Sequence, residues 1–275
     1  MALYRDMDQA ALDAAYDNGR AVAESAKFIT DWERRSAEIA LERPRHLDLR
    51  YGPRERNRID YFAADAPDCP VLVFIHGGYW QSRAKELFRF IARGPLAHGI
   101  GVALVGYTLA PEARLSEIVD EVRTALSWLG AKLHTLSADA SRIFVSGWSA
   151  GGHLTAAALD HHAVRGGLAI SGLYDLEPIR LSYLNEKLRL ESDEVVPLSP
   201  LHNIPGNSPP LIVTYGTREL PELQRQSEEY AAARAAAGLP GRVEPVEGCN
   251  HYTMLEELAD PRGALMELVL ELIRG

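Results

Sequence analysis

Residues 142–154 read RIFVSGWSAGGHL: an apolar run ends in a serine fenced by glycines and turns at once into a helix-forming stretch. Glycine is poor in helices and strands alike, and serine is unexceptional in a helix, so propensity does not explain the choice. A chemical demand does. The stretch matches G-x-S-x-G at Gly147, Ser149 and Gly151. Directly after a buried strand, such a turn holds the serine in strained backbone with its hydroxyl exposed, and the glycines are required because a Cβ would collide with neighbouring backbone. The following helix start brings unpaired N–H groups and a positive dipole end to the hydroxyl. The pattern alone is weak, and its place between strand and helix gives it weight.

Working outward, the same alternation continues in both directions. VLVFI (71–75) is a continuous apolar run, as in a strand buried on both faces. Helix KELFRFIARGPLAHG, strand VALVGY, helix LSEIVDEVRTALSWL, strand IFVSG, helix GGHLTAAALDHH and strand GLAIS follow. Later come strand LIVTYG, helix PELQRQSEEYAAARAAAG, strand RVEPV and a C-terminal helix, GALMELVLELIR. This order predicts right-handed βαβ crossovers and a mostly parallel central sheet with helices on both faces, an α/β fold. RHLDLRYG and NRIDYFAA alternate polar and apolar residues around a Gly-Pro turn and predict an antiparallel pair ahead of it. Residues 173–209 break the alternation with short helical pieces, five prolines and no strand run, which predicts a cap or lid insertion. The alanine-rich, helix-prone N-terminal segment, 1–44, is expected to complete that small helical cap. The expectation is one domain over 1–275.

The 275-residue chain carries a net charge of −9, which disfavours nucleic acid and anionic membrane surfaces as partners. Two cysteines, Cys69 and Cys249, are too few for a secreted disulfide framework and suggest reduced thiols in a cytoplasm. The polar N-terminus MALYRDMDQAALDAAYDNGR lacks the apolar core of a signal peptide.

A serine nucleophile needs a base. His251, in EGCNHYTMLEEL, follows the last predicted strand and precedes a helix, on the loop where a strand–turn–helix serine elbow finds its histidine. His161 and His162 read as solvated residues at a helix end, and His153 as a packing residue. The base in turn needs an orienting carboxylate after LIVTYG. GTRELPELQRQ offers Glu219 and Glu222 and no aspartate. Glu219, a tight turn from the strand, is preferred; Glu222, already helical, and Asp175, after the previous strand, remain alternatives. The developing oxyanion needs donors aimed in advance. HGGYW (76–80) places bare amides of Gly77 and Gly78 after strand VLVFI, and the Ala150 amide lies beside the nucleophile. His76 reads as a tie for that loop.

These elements resemble the α/β-hydrolase superfamily over about residues 45–275, in the chain order serine, acid, histidine. HGGYWQ, GWSAGGHL, SGLYDLEPI, LSPL, ELPELQRQS and NHYT resemble more closely the arylformamidase branch, the kynurenine formamidase-like hydrolases, near the hormone-sensitive-lipase type esterases. The resemblance implies hydrolysis of N-formyl aryl amides or of small aryl and short-chain esters. It carries Ser149, Glu219 and His251 over as the triad and Gly77, Gly78 and Ala150 as the oxyanion hole, although the family acid is commonly aspartate.

The expected reaction is acyl transfer through an acyl-enzyme, with no metal and no cofactor. Tyr79, Trp80, Trp148 and Tyr107 are expected to wall a pocket for an aryl leaving group. The expected partners are a small ester or amide and, at most, a second copy of the chain. The alternatives are a non-catalytic ligand-binding protein on the same fold and an acyltransferase.

Overall fold

A computed structural model describes residues 2–275. The chain opens with helices α1 (Gln9–Ala15), α2 (Asn18–Ala21) and α3 (Ser25–Glu42), then strands β1 (Leu49–Arg50), β2 (Arg58–Phe62) and β3 (Cys69–Ile75). A 3-10 helix over Lys85–Ala92 leads into α4 (Arg93–Ala97), followed by β4 (Gly101–Val105), α5 (Leu115–Lys132), β5 (Ala138–Trp148), α6 (Ala150–Ala158) and β6 (Val164–Ile170). Three short helices, α7 (Glu177–Leu181), α8 (Asn185–Leu188) and α9 (Ser192–Leu198), fill the interruption. The chain then closes with β7 (Leu211–Gly216), α10 (Pro221–Ala236), β8 (Gly241–Val246), α11 (Thr253–Ala259) and α12 (Ala264–Arg274). Among the described residues no helix is long and apolar enough to cross a membrane.

The eight strands form one sheet in the order β1-β2-β4-β3-β5-β6-β7-β8, parallel from β4 through β8 and antiparallel where β2 meets β1 and β4. Side chains alternate faces with period two. Val71, Val73, Ile75, Ala103 and Val105 therefore enter a core closed by α5, α6 and α10, whereas Leu72, Phe74, Val102 and Leu104 enter a second core closed by α3, α11 and α12. Complete burial of a side chain such as Phe74 contributes about 1.5–3 kcal/mol. Both faces are thus covered, which is why the middle strands read as continuous apolar runs.

Two segments differ from the expectation. The KELFRFIARGPLAHG helix is mostly 3-10, and an α-turn forms only at Arg93–Ala97. Pro95 cannot donate to residue 91, and a Cβ on Gly94 would strike the Leu258 carbonyl, so the chain is pressed against α11 there. The N-terminal segment also divides. Residues near α1 reach the interruption, with Tyr4 Oη donating to Asp175 (2.8 Å) and Gln9 Nε2 to the Leu181 carbonyl (3.1 Å). Helix α3 instead buries Trp32 and Ile39 in the second core and belongs to the layer flanking the sheet.

Register aligns the strand ends that matter. Ile75 pairs with Gly147, Trp148 with Ile170, Ile170 with Thr214 and Gly216 with Val246. The loops after β3, β5, β6, β7 and β8 consequently emerge along one rim of the sheet, the carboxyl edge at which ligands of open parallel sheets bind.

Candidate active site

At the end of β5 the chain turns through Ser149 at φ 59°, ψ −120°, far from the basins of ordinary L-residues. Such a conformation costs about 1–3 kcal/mol and persists only where neighbours enforce it. Here the Ser149 amide donates to the Ile170 carbonyl (2.8 Å), and the Ser149 carbonyl accepts from Gly152 (2.8 Å) and His153 (3.2 Å). A Cβ on Gly147 would strike the Gly151 carbonyl, and one on Gly151 the Ile75 carbonyl. The glycines thus let the start of α6 sit directly on the ends of β5 and β3, and that contact forces the turn.

Glu219 and His251 meet across the ends of β7 and β8. His251 Nδ1 donates to Glu219 Oε2 at 2.7 Å, with both side chains buried. A carboxylate can only accept, so Nδ1 carries a proton, and in the neutral imidazole that tautomer puts the lone pair on Nε2. Glu219 Oε1 accepts from Ser171 Oγ (2.5 Å) and from the Gly216 amide (2.8 Å), which fixes the carboxylate on a turn three residues past the strand. The ring is tied to the elbow as well: Trp148 Nε1 donates to the His251 carbonyl (2.8 Å), and the Trp148 and His251 rings lie 4.6 Å apart. His251 Nε2 and Ser149 Oγ make no hydrogen bond to each other or to other described residues. Neither is among the buried unpaired atoms, so both keep access to solvent.

The loop after β3 supplies the remaining wall. A Cβ on Gly77 would lie 2.7 Å from the Trp148 carbonyl and 3.0 Å from Ser149 Cβ, so bare backbone touches the elbow. His76 Nδ1 donates to the Gly77 carbonyl (2.7 Å). Because a trans peptide is planar, holding that carbonyl on one side points the Gly78 N–H to the other. Burial lowers the His76 pKa to about 3, so the imidazole stays neutral while it holds this carbonyl. Ala150, fully buried, opens α6 and contributes one of the helix's unpaired first-turn amides. Gly78, Tyr79 and Trp80 run consecutively at φ 113°, 49° and 57°, so the loop is strained as well as close. A cleft of about 760 Å³ beside Arg43, Phe62 and Leu136 touches none of these residues.

Residues 72–195 match the α/β-hydrolase fold family model. The chain is 30% identical to the kynurenine formamidase of Danio rerio, covering 82% of this chain and 81% of that protein. The kynurenine formamidase of Salmo salar matches at the same identity and coverage. The chain belongs to the kynurenine formamidase family of α/β hydrolases. It is a hydrolase of the esterase and formamidase type. Among solved structures, a candidate thioesterase from Silicibacter sp. superposes with a TM-score of 0.84 at 28% identity, covering 94% of this chain and 98% of that one. An esterase from Pyrobaculum calidifontis shares the fold at a TM-score of 0.74 and 20% identity over 100% of this chain and 99% of that one.

Within this family frame, the alternative acids lie elsewhere. Glu222 accepts from Tyr16 Oη (3.0 Å) and Arg225 (2.6 Å), and Asp175 accepts from Tyr4. Two of the expected pocket aromatics are core residues instead. Tyr107 has no exposed surface; it stacks on His76 at 4.2 Å and donates to the His76 carbonyl (2.9 Å). Trp80 is equally buried, edge-on to His153 at 5.0 Å. Both rings turn inward because their loops sit on the first core. Trp148 is buried at the elbow against the His251 ring, and Tyr79 is half-buried with its hydroxyl occupied by the N-terminal segment. His161 is buried rather than solvated, bonded to Ser127 Oγ at 2.9 Å.

Ser171 was not apparent in the sequence. It follows β6 at φ 50°, fully buried, and its hydroxyl donates to Glu219. The available signal was a serine at the carboxyl end of a central strand, in SGLYD. A hydrogen bond to a charged group contributes about 1.5 kcal/mol, so Ser171→Ala is expected to lower kcat about tenfold with KM unchanged in steady-state assays. An unchanged kcat would show that the Gly216 amide alone holds the carboxylate.

Proposed function

We propose that Ser149 is the nucleophile, His251 its general base and Glu219 the residue that orients the base. In this reading the amides of Gly77, Gly78 and Ala150 receive the oxyanion. The substrates are small carboxylic esters or aryl formamides. The observation that carries the reading is the 2.7 Å Glu219–His251 hydrogen bond, which occupies Nδ1 and leaves Nε2 the free ring nitrogen of a side chain tied to the strained Ser149 elbow.

In this reading the reaction is a two-step acyl transfer. Nε2 takes the hydroxyl proton as Oγ adds to the substrate carbonyl. Negative charge then grows on the carbonyl oxygen, where amides fixed before the reaction stabilise it without reorganisation. Collapse expels the alcohol or arylamine, which collects the proton from His251. Water attacks the acyl-enzyme by the same route, releasing the acid and regenerating the serine. Glu219 stabilises the imidazolium through Nδ1.

The test combines turnover with covalent trapping. Incubation with an aryl acetate and with N-formylkynurenine is expected to yield acid and leaving group from at least one. An aryl fluorophosphonate should stop that turnover by adding one phosphonyl group, located on Ser149 by peptide mass spectrometry. Labelling at another residue, or full activity after labelling, would overturn the assignment.

A further inference from the structure

The hydroxyl of Tyr79 is committed to the N-terminal segment. It donates its one proton to the Tyr16 carbonyl (2.6 Å) and accepts from Asn18 Nδ2 (3.0 Å). Asn18 is 6% exposed, and the Tyr79 hydroxyl is the partner of its side-chain amide. Tyr16 is fully buried and held from its other end: its own hydroxyl accepts from Gln226 Nε2 (2.8 Å) and donates to Glu222 (3.0 Å), both in the first turns of α10. Helix α10 begins two residues after Glu219. One residue of the N-terminal segment therefore bridges the helix that follows the Glu219 turn and the loop that carries Gly77 and Gly78.

We propose that Tyr16 and Asn18 form a clamp on the Tyr79 phenol that sets the aim of the oxyanion-hole amides, making the N-terminal segment a working part of the active site. This rests on the reading of Gly77 and Gly78 as oxyanion donors. Tyr79 sits at φ 49° and Trp80 at φ 57°, after a Gly78 that takes its positive φ freely, so the loop departs from relaxed backbone at two consecutive residues. Something outside the loop must hold it there. On one side the His76 imidazole grips the Gly77 carbonyl. On the other, the clamp grips the side chain of the residue after Gly78. The Gly77–Gly78 peptide lies between the two grips. Tyr79 is a positioning residue in this arrangement: its hydroxyl proton already goes to Tyr16, so none remains for a substrate oxygen.

Tyr79→Phe removes both hydrogen bonds and keeps the ring; Asn18→Ala removes one and keeps Tyr79. A displaced donor acts in the transition state more than in the bound substrate, so each is expected to lower kcat, Tyr79→Phe by about 30-fold and Asn18→Ala by about tenfold, with KM within about threefold of wild type. The double variant should be no slower than Tyr79→Phe, since one clamp is lost once. The affinity of an arylboronic acid, which forms a tetrahedral serine adduct, should weaken in step with kcat/KM. Arg5→Ala, which removes an exposed Arg5–Glu229 pair at the same segment, should leave all of these at wild-type values. Assays run well below each variant's own Tm, and if Tyr79→Phe does not fold, Asn18→Ala decides. A kcat within twofold of wild type in the folded variants, or a raised KM with unchanged kcat, overturns the clamp. The reading of the site fails separately, through a Ser149→Ala variant that keeps its turnover.

Discussion

Ser149→Ala is expected to lower kcat on an aryl acetate by about 10⁶-fold while KM and Tm stay near wild type. The size of the loss follows from the division of labour at the site. Without Oγ no acyl-enzyme can form, and His251 and Glu219 have no nucleophile to activate. On the proposed reading the amides of Gly77, Gly78 and Ala150 still bind and polarise the carbonyl, so water attack continues slowly, at about 10³-fold over the uncatalysed rate. The unchanged stability is a separate consequence. The Ser149 hydroxyl has no hydrogen-bond partner among the described residues, and alanine keeps the Cβ, so neither a contact nor the strain at φ 59° changes. Ser149→Gly should instead relax the turn and raise stability by about 1 kcal/mol with the same loss of activity. Steady-state kinetics and thermal melts on the three proteins check both halves. Activity above about 1% of wild type in the alanine protein would assign the nucleophile elsewhere, and a large drop in Tm would show that the hydroxyl supports the elbow.

The strands that position the site were readable because a sheet covered on both faces demands apolar residues at successive positions, and VLVFI, VALVGY, IFVSG and LIVTYG provide them. The elbow was readable for a stronger reason. Gly147 and Gly151 face carbonyls that exclude any side chain, so the packing writes itself into the sequence as glycine. What could not be read was direction. HGGYW announces a tight loop, but the left-handed backbone at Tyr79 and Trp80 decides where the rings point, and it turns Trp80 into the core. Tyr107 ends VALVGY, and nothing local says that its ring packs on His76 instead of walling a pocket. Contacts between distant segments were equally invisible. Tyr16, Asn18 and Ser171 carry no local pattern that marks them; each matters through a partner between 48 and 210 residues away. Helix α3 shows the same limit at the level of an element: its alanine-rich, helix-prone sequence predicts a helix of the cap and cannot say that Trp32 joins the layer beneath the sheet.

The choice between two glutamates three residues apart is the sharpest case, and it yields the second large effect. Glu219→Gln is expected to lower kcat by about 10⁴-fold, whereas Glu222→Gln should stay within about threefold of wild type. The carboxylate of Glu219 accepts three donors: the Ser171 hydroxyl, the Gly216 amide and His251 Nδ1–H. A glutamine has one acceptor oxygen. If that oxygen keeps the Gly216 amide, its NH₂ faces Nδ1, and the imidazole can satisfy the contact only by moving its proton to Nε2. That tautomer cannot take the proton of Ser149. If the NH₂ faces Ser171, the hydroxyl can rotate to accept, but two hydrogens then crowd the Gly216 amide, and no negative charge remains to stabilise the imidazolium. Either arrangement disables the base while KM, set by the unchanged pocket, moves little. Glu222 answers to different neighbours. Pro221 opens α10, so Glu222 lies on the helix, where Arg225 one turn on draws its carboxylate toward Tyr16. Its neutral variant loses a half-buried ion pair and should melt a few degrees lower, but Arg225 keeps Glu229 and Tyr16 keeps Gln226. Rate and melting point therefore separate the two residues: a slow, stable Glu219→Gln beside an active, softened Glu222→Gln supports the assignment, and the reverse pairing moves the triad acid to Glu222.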